Sequence, residues 1–334
     1  PRARFDESPT GRIPDGDVAG TSQTTPQALT MKGKSLTNPQ PQGQVGTASS
    51  KSAAARSQSA ADWQRPPGLT SAKWEYVRSG RIAEQYNQFL DGDPLTSLDG
   101  QIVAHYLPGP SADQKPPHVL DLGCGTGRTL WPIAERGYRC LGVDLSLPML
   151  RELGRDPRGL ETEQSIDRVQ ANLVQLEGLA DHAFDVALCL FSTLGMIEGR
   201  VARDRFLRHV HRVLKPGGRF LVHAHNVAYQ WRLPGGVRWS AGNAWAACRG
   251  IEELGDRRAT YRGLPNFFIH SFRRSELNAA LHGAGLRPRQ WWGVTPGASQ
   301  PRPEDPLPKL SWRSDWQLVG WIVDCYCEPE SAFD

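Results

Sequence analysis

The ten residues His118-Val-Leu-Asp121-Leu-Gly123-Cys124-Gly125-Thr-Gly127 place three glycines at alternate positions directly after an apolar run. Glycine reaches positive-φ conformations and lets a ligand press against bare backbone. The helix expected next, Thr129 to Arg136, offers unpaired N–H groups and a partial positive end, which suit a carboxylate or a phosphate. A second chemical group stands at the end of the following apolar run, Asp144 in Cys140-Leu-Gly-Val-Asp144-Leu145-Ser146. An acid about twenty residues past the first glycine is placed to accept both hydroxyls of a ribose. Together the loop and the acid point to an adenosine-containing ligand. A dinucleotide fingerprint reads G-x-G-x-x-G; here the third glycine comes one residue early and Arg128 takes its place, which argues against a nicotinamide dehydrogenase.

These residues need elements to hold them. His118–Leu122, Arg139–Leu145, Arg168–Leu173 and Phe184–Phe191 read as strands, each separated by a helical or polar segment. Arg203–Leu214 shows Phe206, Leu207, Val210, Val213 and Leu214 on one helical face, and Lys215-Pro-Gly-Gly218 stops it. Arg219–His225 is the next strand, Ser275–Ala284 a helix, and Leu286–Val294 and Trp316–Tyr326 the last strands. Strands alternating with helices predict a parallel α/β sheet covered on both faces. The last two strands have only a proline-rich connection, so the final strand is expected antiparallel. Upstream, Trp74–Leu90 reads as an amphipathic helix and residues 98–107 as a second one, a helical cap over 71–110.

Composition bounds the rest. The chain has 334 residues, 39% hydrophobic and 22% charged, long enough for one or two domains. About half of residues 1–70 are Pro, Gly, Ser, Thr or Gln, with Phe5 and Trp63 the only aromatics. Such a segment cannot offset ordering entropy and is expected to be a disordered arm, leaving 71–334 as the domain. No stretch approaches the roughly 20 apolar residues of a membrane span. The chain begins at Pro1 without an initiator methionine, which leaves a removed leader open. Six scattered cysteines without metal-ligand spacing suit a reducing, cytoplasmic compartment. A net charge of +4 is too slight to assign a polyanionic partner.

At this point the sequence resembles the class I S-adenosylmethionine-dependent methyltransferases, with a type 11/25-like domain, over about 200 residues from His118 to Tyr326. Val119–Gly127 matches the family's first motif, Gly142-Val-Asp144-Leu-Ser146 the second, and Val169-Gln-Ala-Asn172-Leu the third. In that third motif Asn172 replaces the usual Asp beside the adenine amine, and its side-chain oxygen can still accept from it. Phe184–Phe191 resembles the fourth strand, whose end, at Leu190, approaches the methionine moiety, and Val213–Leu221 the turn before the fifth. The resemblance implies a Rossmann-like, doubly wound, seven-stranded sheet with an antiparallel last strand. It implies S-adenosylmethionine as cofactor, held by Asp121, Gly123, Cys124, Gly125, Gly127, Asp144, Leu145, Asn172 and Leu190. Ala83-Glu-Gln-Tyr86-Asn resembles the upstream segment that sends a tyrosine over the cofactor, so Tyr86 joins them.

Methyl transfer is an in-line displacement in which the cofactor supplies the activated group and the protein supplies position and desolvation. A base, where one is used, is expected near the ends of strands four and five. His223 and His225 alternate, so they share a face, and His225 at the rim is the first candidate for a base or substrate contact. His270 is expected to face the same cavity, while His209 and His211 are expected in solvent. Cys124 is read as contributing backbone, and Cys325 and Cys327 as packing residues; no metal is expected.

Residues 227–265 read as an acceptor-side insertion, carrying Trp231, Trp239, Trp245 and Tyr261 with Arg232, Arg238, Arg249, Arg257, Arg258 and Arg262. Aromatics suit a lid over a small-molecule acceptor; arginine interleaved with tryptophan can also bind RNA. The small-molecule reading leads, an RNA-modifying enzyme and a non-catalytic cofactor-binding scaffold being the alternatives. The oligomeric state is not read from the sequence.

Overall fold

The computed structural model describes residues 65–66, 69–90, 100–101, 103–107, 115–161, 166–296, 302–304 and 316–329. The expected arm, residues 1–64 above all, lies outside the described residues, as does part of the expected helical cap. The strands are β1 (His118–Leu122), β2 (Arg139–Asp144), β3 (Ile166–Gln170), β4 (Phe184–Cys189), β5 (Leu214–His225), β6 (Asp256–Tyr261), β7 (Leu264–His270), β8 (Leu286–Val294), β9 (Arg302–Glu304) and β10 (Gly320–Cys327). The helices are α1 (Ser71–Arg78), α2 (Gly80–Glu84), α3 (Tyr86–Leu90), α4 (Leu130–Ala134), α5 (Leu147–Arg155), α6 (Arg158–Glu161), α7 (Arg200–Val213), α8 (Gly236–Cys248) and α9 (Arg274–Gly283).

The main sheet runs β3-β2-β1-β4-β5-β10-β8-β9. Strands β1 to β5 pair in parallel, and β10 is antiparallel to both β5 and β8. Seven of these strands therefore form the doubly wound sheet with one antiparallel member that the sequence predicts. The eighth, three-residue β9, adds to the free edge of β8 and arises inside the proline-rich connection read as irregular.

Side-chain alternation builds two cores. Leu120, Leu122, Phe220 and Val222 face Phe206, Leu207 and Val210 of α7 and Leu277 and Leu281 of α9. Val119, Val186, Leu188, Leu221 and Ile322 face Leu130, Trp131 and Ile133 of α4 and Val103 and Leu107. Both faces of β1 and β5 are buried, which is why these strands read as apolar runs.

Upstream, the single helix expected over Trp74–Leu90 is three short ones. Ser79 leaves the helical region (φ −75°, ψ 108°), and its Oγ accepts the Ile82 N–H at 3.2 Å to cap α2. A capping hydroxyl followed by a poor helix former, Gly80, outweighs the apolar periodicity here. Between β5 and α9 lie a 3₁₀ turn (Val227–Arg232), α8, and a separate hairpin of β6 and β7. Its two-residue loop, Arg262-Gly263, has φ +51° and +79°, as the twist-matched hairpin turn requires. No helix among the described residues is long and apolar enough to cross a membrane.

Candidate functional site

The glycine loop is fixed by backbone. Gly123 N–H donates to the Val143 carbonyl at 2.7 Å, and Cys124 N–H to the same oxygen at 3.2 Å, so the loop is tied to the end of β2. Gly123 has φ +86°, and a Cβ there would lie 2.5 Å from Thr193 Cγ2; at Gly127, φ +78°, it would lie 2.2 Å from Leu153 Cδ1. These two glycines admit neighbouring side chains. Gly125 differs: with φ +55°, its missing Cβ would meet nothing closer than the Tyr86 ring at 3.6 Å. Its backbone opens onto a cleft. The helix after the loop is only Leu130–Ala134, shorter than the sequence predicts, because turns closing on Cys124 and Gly127 carbonyls use up the residues before it.

Asp144 ties the acid to the loop. Its Oδ2 accepts the Gly125 N–H at 2.8 Å and its Oδ1 the Ser146 N–H at 2.7 Å. Burial pushes its carboxyl above the usual range, and the N–H groups of Ser146, Gly125 and Leu145 pull it partly back. Each oxygen accepting one N–H keeps a lone pair for a ribose hydroxyl.

The cleft is lined by Gly123, Gly125, Asp144, Leu145, Ser146, Met149, Asn172, Leu173, Val174, Phe191 and Thr193 of the sheet side and by Leu69, Lys73, Tyr76, Val77, Met196, Ile197, Glu198, Ala202 and Phe267, with Tyr86 above Gly125. It encloses about 1070 Å³ of empty space, part of it open to solvent. Burial pushes the Tyr86 phenol up to about 12. The Arg262 guanidinium at the hairpin tip lies over Tyr86 at 4.7 Å and Phe89 at 3.7 Å. A bare glycine backbone, a half-buried carboxylate with spare lone pairs and a covering aromatic ring form a donor and acceptor set that fits an adenosyl sulfonium group.

Residues 120–222 match a family model described as a methyltransferase domain. The chain is 32% identical over 171 residues to a ubiquinone/menaquinone biosynthesis C-methyltransferase of Syntrophotalea carbinolica, covering 51% of this chain and 68% of that protein. Over 166 residues it is 33% identical to a demethylmenaquinone methyltransferase of Symbiobacterium thermophilum, covering 46% of this chain and 61% of the relative, less than two thirds of its length. A solved S-adenosylmethionine-dependent methyltransferase of Methanosarcina mazei shares the fold with a TM-score of 0.52 at 22% identity, covering 69% of this chain and 98% of that one. The chain belongs to the class I S-adenosylmethionine-dependent methyltransferase family.

Within this methyltransferase fold, Tyr86, Gly123, Gly125, Asp144, Leu145 and Asn172 meet at the cleft. Asn172 Oδ1 already accepts the Val174 N–H at 3.2 Å, which orients the side chain at the end of β3. Asp121, Cys124, Gly127 and Leu190 stand behind it, in or beside the loop and the sheet, and do not line the cleft. Cys124 packs its sulfur against Gly142, where a Cβ would come within 2.7 Å, and burial pushes its thiol well up. Cys325 and Cys327 are buried in the core, as packing residues should be.

The histidines divide. His225 is half-buried at the rim of β5, packed edge-on against His223 with centroids 5.3 Å apart, and its ring is not part of the cleft lining. Burial lowers it to about 4, so the ring is neutral near pH 7. His223 is fully buried, and neither ring nitrogen has a hydrogen-bond partner among the described residues. His270 does not face the cavity as expected: its Nδ1 meets Asp256 Oδ1 at 2.7 Å and its Nε2 meets Glu276 Oε1 at 2.9 Å, fully buried. Together Glu253, His270 and Glu276 lie close enough to hold a metal ion. However, both imidazole nitrogens are already paired, and Arg203 donates to Glu253 at 2.5 Å, so the carboxylates have a cation. The group reads as a clamp holding the hairpin to α7 and α9. His209 and His211 are half-buried rather than solvated; His211 Nε2 lies 3.0 Å from the Glu328 carbonyl.

Three features escaped the sequence reading. Phe191 and Ser192 take consecutive left-handed conformations, φ +53° and +62°, at the end of β4. The strain is held by Ser192 Oγ, which accepts the His225 N–H at 3.3 Å, and by Thr193 Oγ1, which donates to Leu190 at 2.9 Å. Neither residue type signals this. Lys73 is buried on α1, with Met196 C=O as its hydrogen-bond acceptor, and Phe267 reaches the cleft from β7. Both depend on contacts distant in sequence. Finally, several insertion arginines have partners within the chain: Arg257 with Gln230, Arg258 with Glu198, and the exposed Arg249 over the exposed Trp245 ring.

Proposed function

We propose that this chain transfers a methyl group from S-adenosylmethionine to a small, largely apolar acceptor. The observation that carries the reading is one cleft shared by a polar loop and an apolar wall. The loop offers bare backbone at Gly125 and the Asp144 carboxylate; Leu69, Tyr76, Val77, Met196, Ile197 and Phe267 supply apolar lining to the same cleft. Asp144 would hold the ribose, Asn172 and Leu145 the base, and Tyr86 would cover the loop side. When bound, the cofactor supplies an electrophilic methyl group. The protein's part is to orient the two partners and exclude water, which alone lowers such barriers by roughly 7–11 kcal/mol. Relatives named for menaquinone and ubiquinone biosynthesis support a small-molecule acceptor. His225, whose ring stands outside the cleft lining and is neutral at pH 7, is proposed to act from behind, its backbone N–H holding the Ser192 turn, rather than as a base on the acceptor. Cysteines packed as thiols in the core favour a reducing, cytoplasmic setting.

Calorimetry with S-adenosylmethionine and S-adenosylhomocysteine tests the reading; micromolar binding to both is expected, and absence of binding in a folded sample overturns it. Asp144→Ala should weaken S-adenosylhomocysteine by about 1.5–3 kcal/mol, the loss of hydrogen bonds to a charged group. Unchanged affinity would remove Asp144 from the ribose site. Transfer of labelled methyl to small-molecule extracts, and not to ribonuclease-sensitive material, is the expected acceptor result.

A further inference from the structure

The wall of the cleft formed by α1, β7 and the segment after β4 is apolar except for two charged side chains, Lys73 and Glu198. Lys73, on α1, is 4% exposed yet lines the cleft beside Tyr76, Val77, Met196, Ile197 and Phe267. Its ammonium donates to the Met196 carbonyl and lies 4.4 Å from the centre of the Phe268 ring. One hydrogen bond and one ring face leave a three-donor group short of partners. Among the described residues no carboxylate forms an ion pair with it, since the nearest candidate, Glu198, is paired with Arg258 at 2.8 Å. A buried ammonium whose neighbouring carboxylate, Glu198, is already shared with Arg258 is only partly offset, and a buried charge is costly until it is.

We propose that Lys73 is the acceptor-recognition residue, and that the acceptor carries an anionic oxygen, a phenolate or a carboxylate, on a planar apolar body. This rests on the methyltransferase reading above, with the glycine loop holding the cofactor. The ammonium would pair with the anionic oxygen while Tyr76 and Phe267, whose ring centres lie 5.4 Å apart edge to face, pack against the flat body. The electrostatics agree. Burial lowers Lys73 to about 8; Glu198 and Asp256 raise it and Arg258 and Arg203 lower it further. An entering anion would restore the charge balance that burial has upset, so recognition and desolvation act together.

Three probes of similar outline test this on the full chain preloaded with S-adenosylhomocysteine: 4-nitrophenol, 4-nitrobenzoate and nitrobenzene. The wild type should prefer one of the two oxyanions over nitrobenzene by roughly ten- to a hundredfold, the worth of one charge-assisted hydrogen bond. Which oxyanion wins separates phenolate from carboxylate acceptors. At pH 6, bound 4-nitrophenol should show the phenolate absorbance band if the phenol class is right. Lys73→Met and Lys73→Gln should each bind all three probes alike, the ratio within one variant being independent of its overall affinity. In the wild type the preference for 4-nitrobenzoate, ionised throughout, should fade as pH rises past about 8, a readout that needs no variant. Equal binding of the three probes by the wild type, or a preference that survives in both variants, overturns the proposal. Loss of S-adenosylhomocysteine binding by the wild type would instead overturn the cofactor reading, because probe selectivity is scored separately.

Discussion

The two walls of the cleft are built from different materials. On the glycine-loop side, every tie is donated by a backbone N–H: the Val143 carbonyl accepts from Gly123 and Cys124, and the Asp144 carboxylate accepts from Gly125 and Ser146. On the hairpin side, side-chain charges do the holding. Arg203 bridges Glu253 and approaches Glu276 at 4.0 Å, and His270 joins Asp256 to Glu276. The ties to the Val143 carbonyl are insensitive to pH, and both sets of ties leave little room for sequence variation. An ion network tolerates repositioning of the element it clamps, which suits the wall that must fit an acceptor.

The largest effect should come from breaking the hairpin side. Arg203 is 2% exposed and also donates to the Ile197 carbonyl at 3.2 Å. Arg203→Met leaves Glu253 and Glu276 without their cation. We expect a loss of about 3 kcal/mol in unfolding free energy, the low end for a broken buried pair because both carboxylates keep some water. Denaturant unfolding measures it. Affinity for S-adenosylhomocysteine should stay within a few-fold, since the loop side is untouched; a collapse of cofactor binding would show that the two walls are one cooperative unit.

A matched pair of glycines tests the other half of the comparison. Gly123 and Gly263 both have positive φ, +86° and +79°, but a Cβ at Gly263 meets nothing within 4 Å whereas at Gly123 it meets Thr193. Gly263→Ala should cost only left-handed strain, about 1 kcal/mol. Gly123→Ala adds a clash with a threonine already fixed by its bond to Leu190, for about 2–4 kcal/mol in all, and should abolish measurable S-adenosylhomocysteine binding. Equal costs at the two sites would mean that Thr193 moves aside freely.

The same contrast explains what the sequence showed. Gly123, Gly125, Gly127 and Asp144 were legible because local backbone geometry demands those residue types within about twenty positions. The strands were legible because both faces of β1 and β5 are buried. Lys73 was not, because its burial depends on Met196, 123 residues away, and the periodicity of Trp74–Leu90 placed the helix start after it. His270 was misplaced for a related reason: an imidazole after an apolar run reads the same whether it faces a cavity or two carboxylates. The turn at Arg262-Gly263 carried half a signal, with arginine where asparagine would have announced the hairpin.

The smallest expected effect is a titration. Burial disfavours charge on His270, but Asp256 and Glu276 outweigh it and raise its pKa above the ordinary 6.5. A raised pKa in the folded state means that the stabilisation is fully present below 6.5 and is lost as pH climbs through the raised value. Other groups act outside that interval. His225, lowered to about 4, makes stability fall as pH drops below 6.5. Lys73, lowered to about 8 from 10.5, makes stability rise with pH above about 8. The interval from 6.5 to 8 therefore isolates the clamp. Across it the wild type should lose stability as pH rises, because the His270 pKa is raised, while His270→Gln, lower throughout, should be flat. A wild type that is equally flat would mean that His270 is neutral at both ends of the interval, and the hairpin would then be held by Arg203 and hydrogen bonds to an uncharged imidazole.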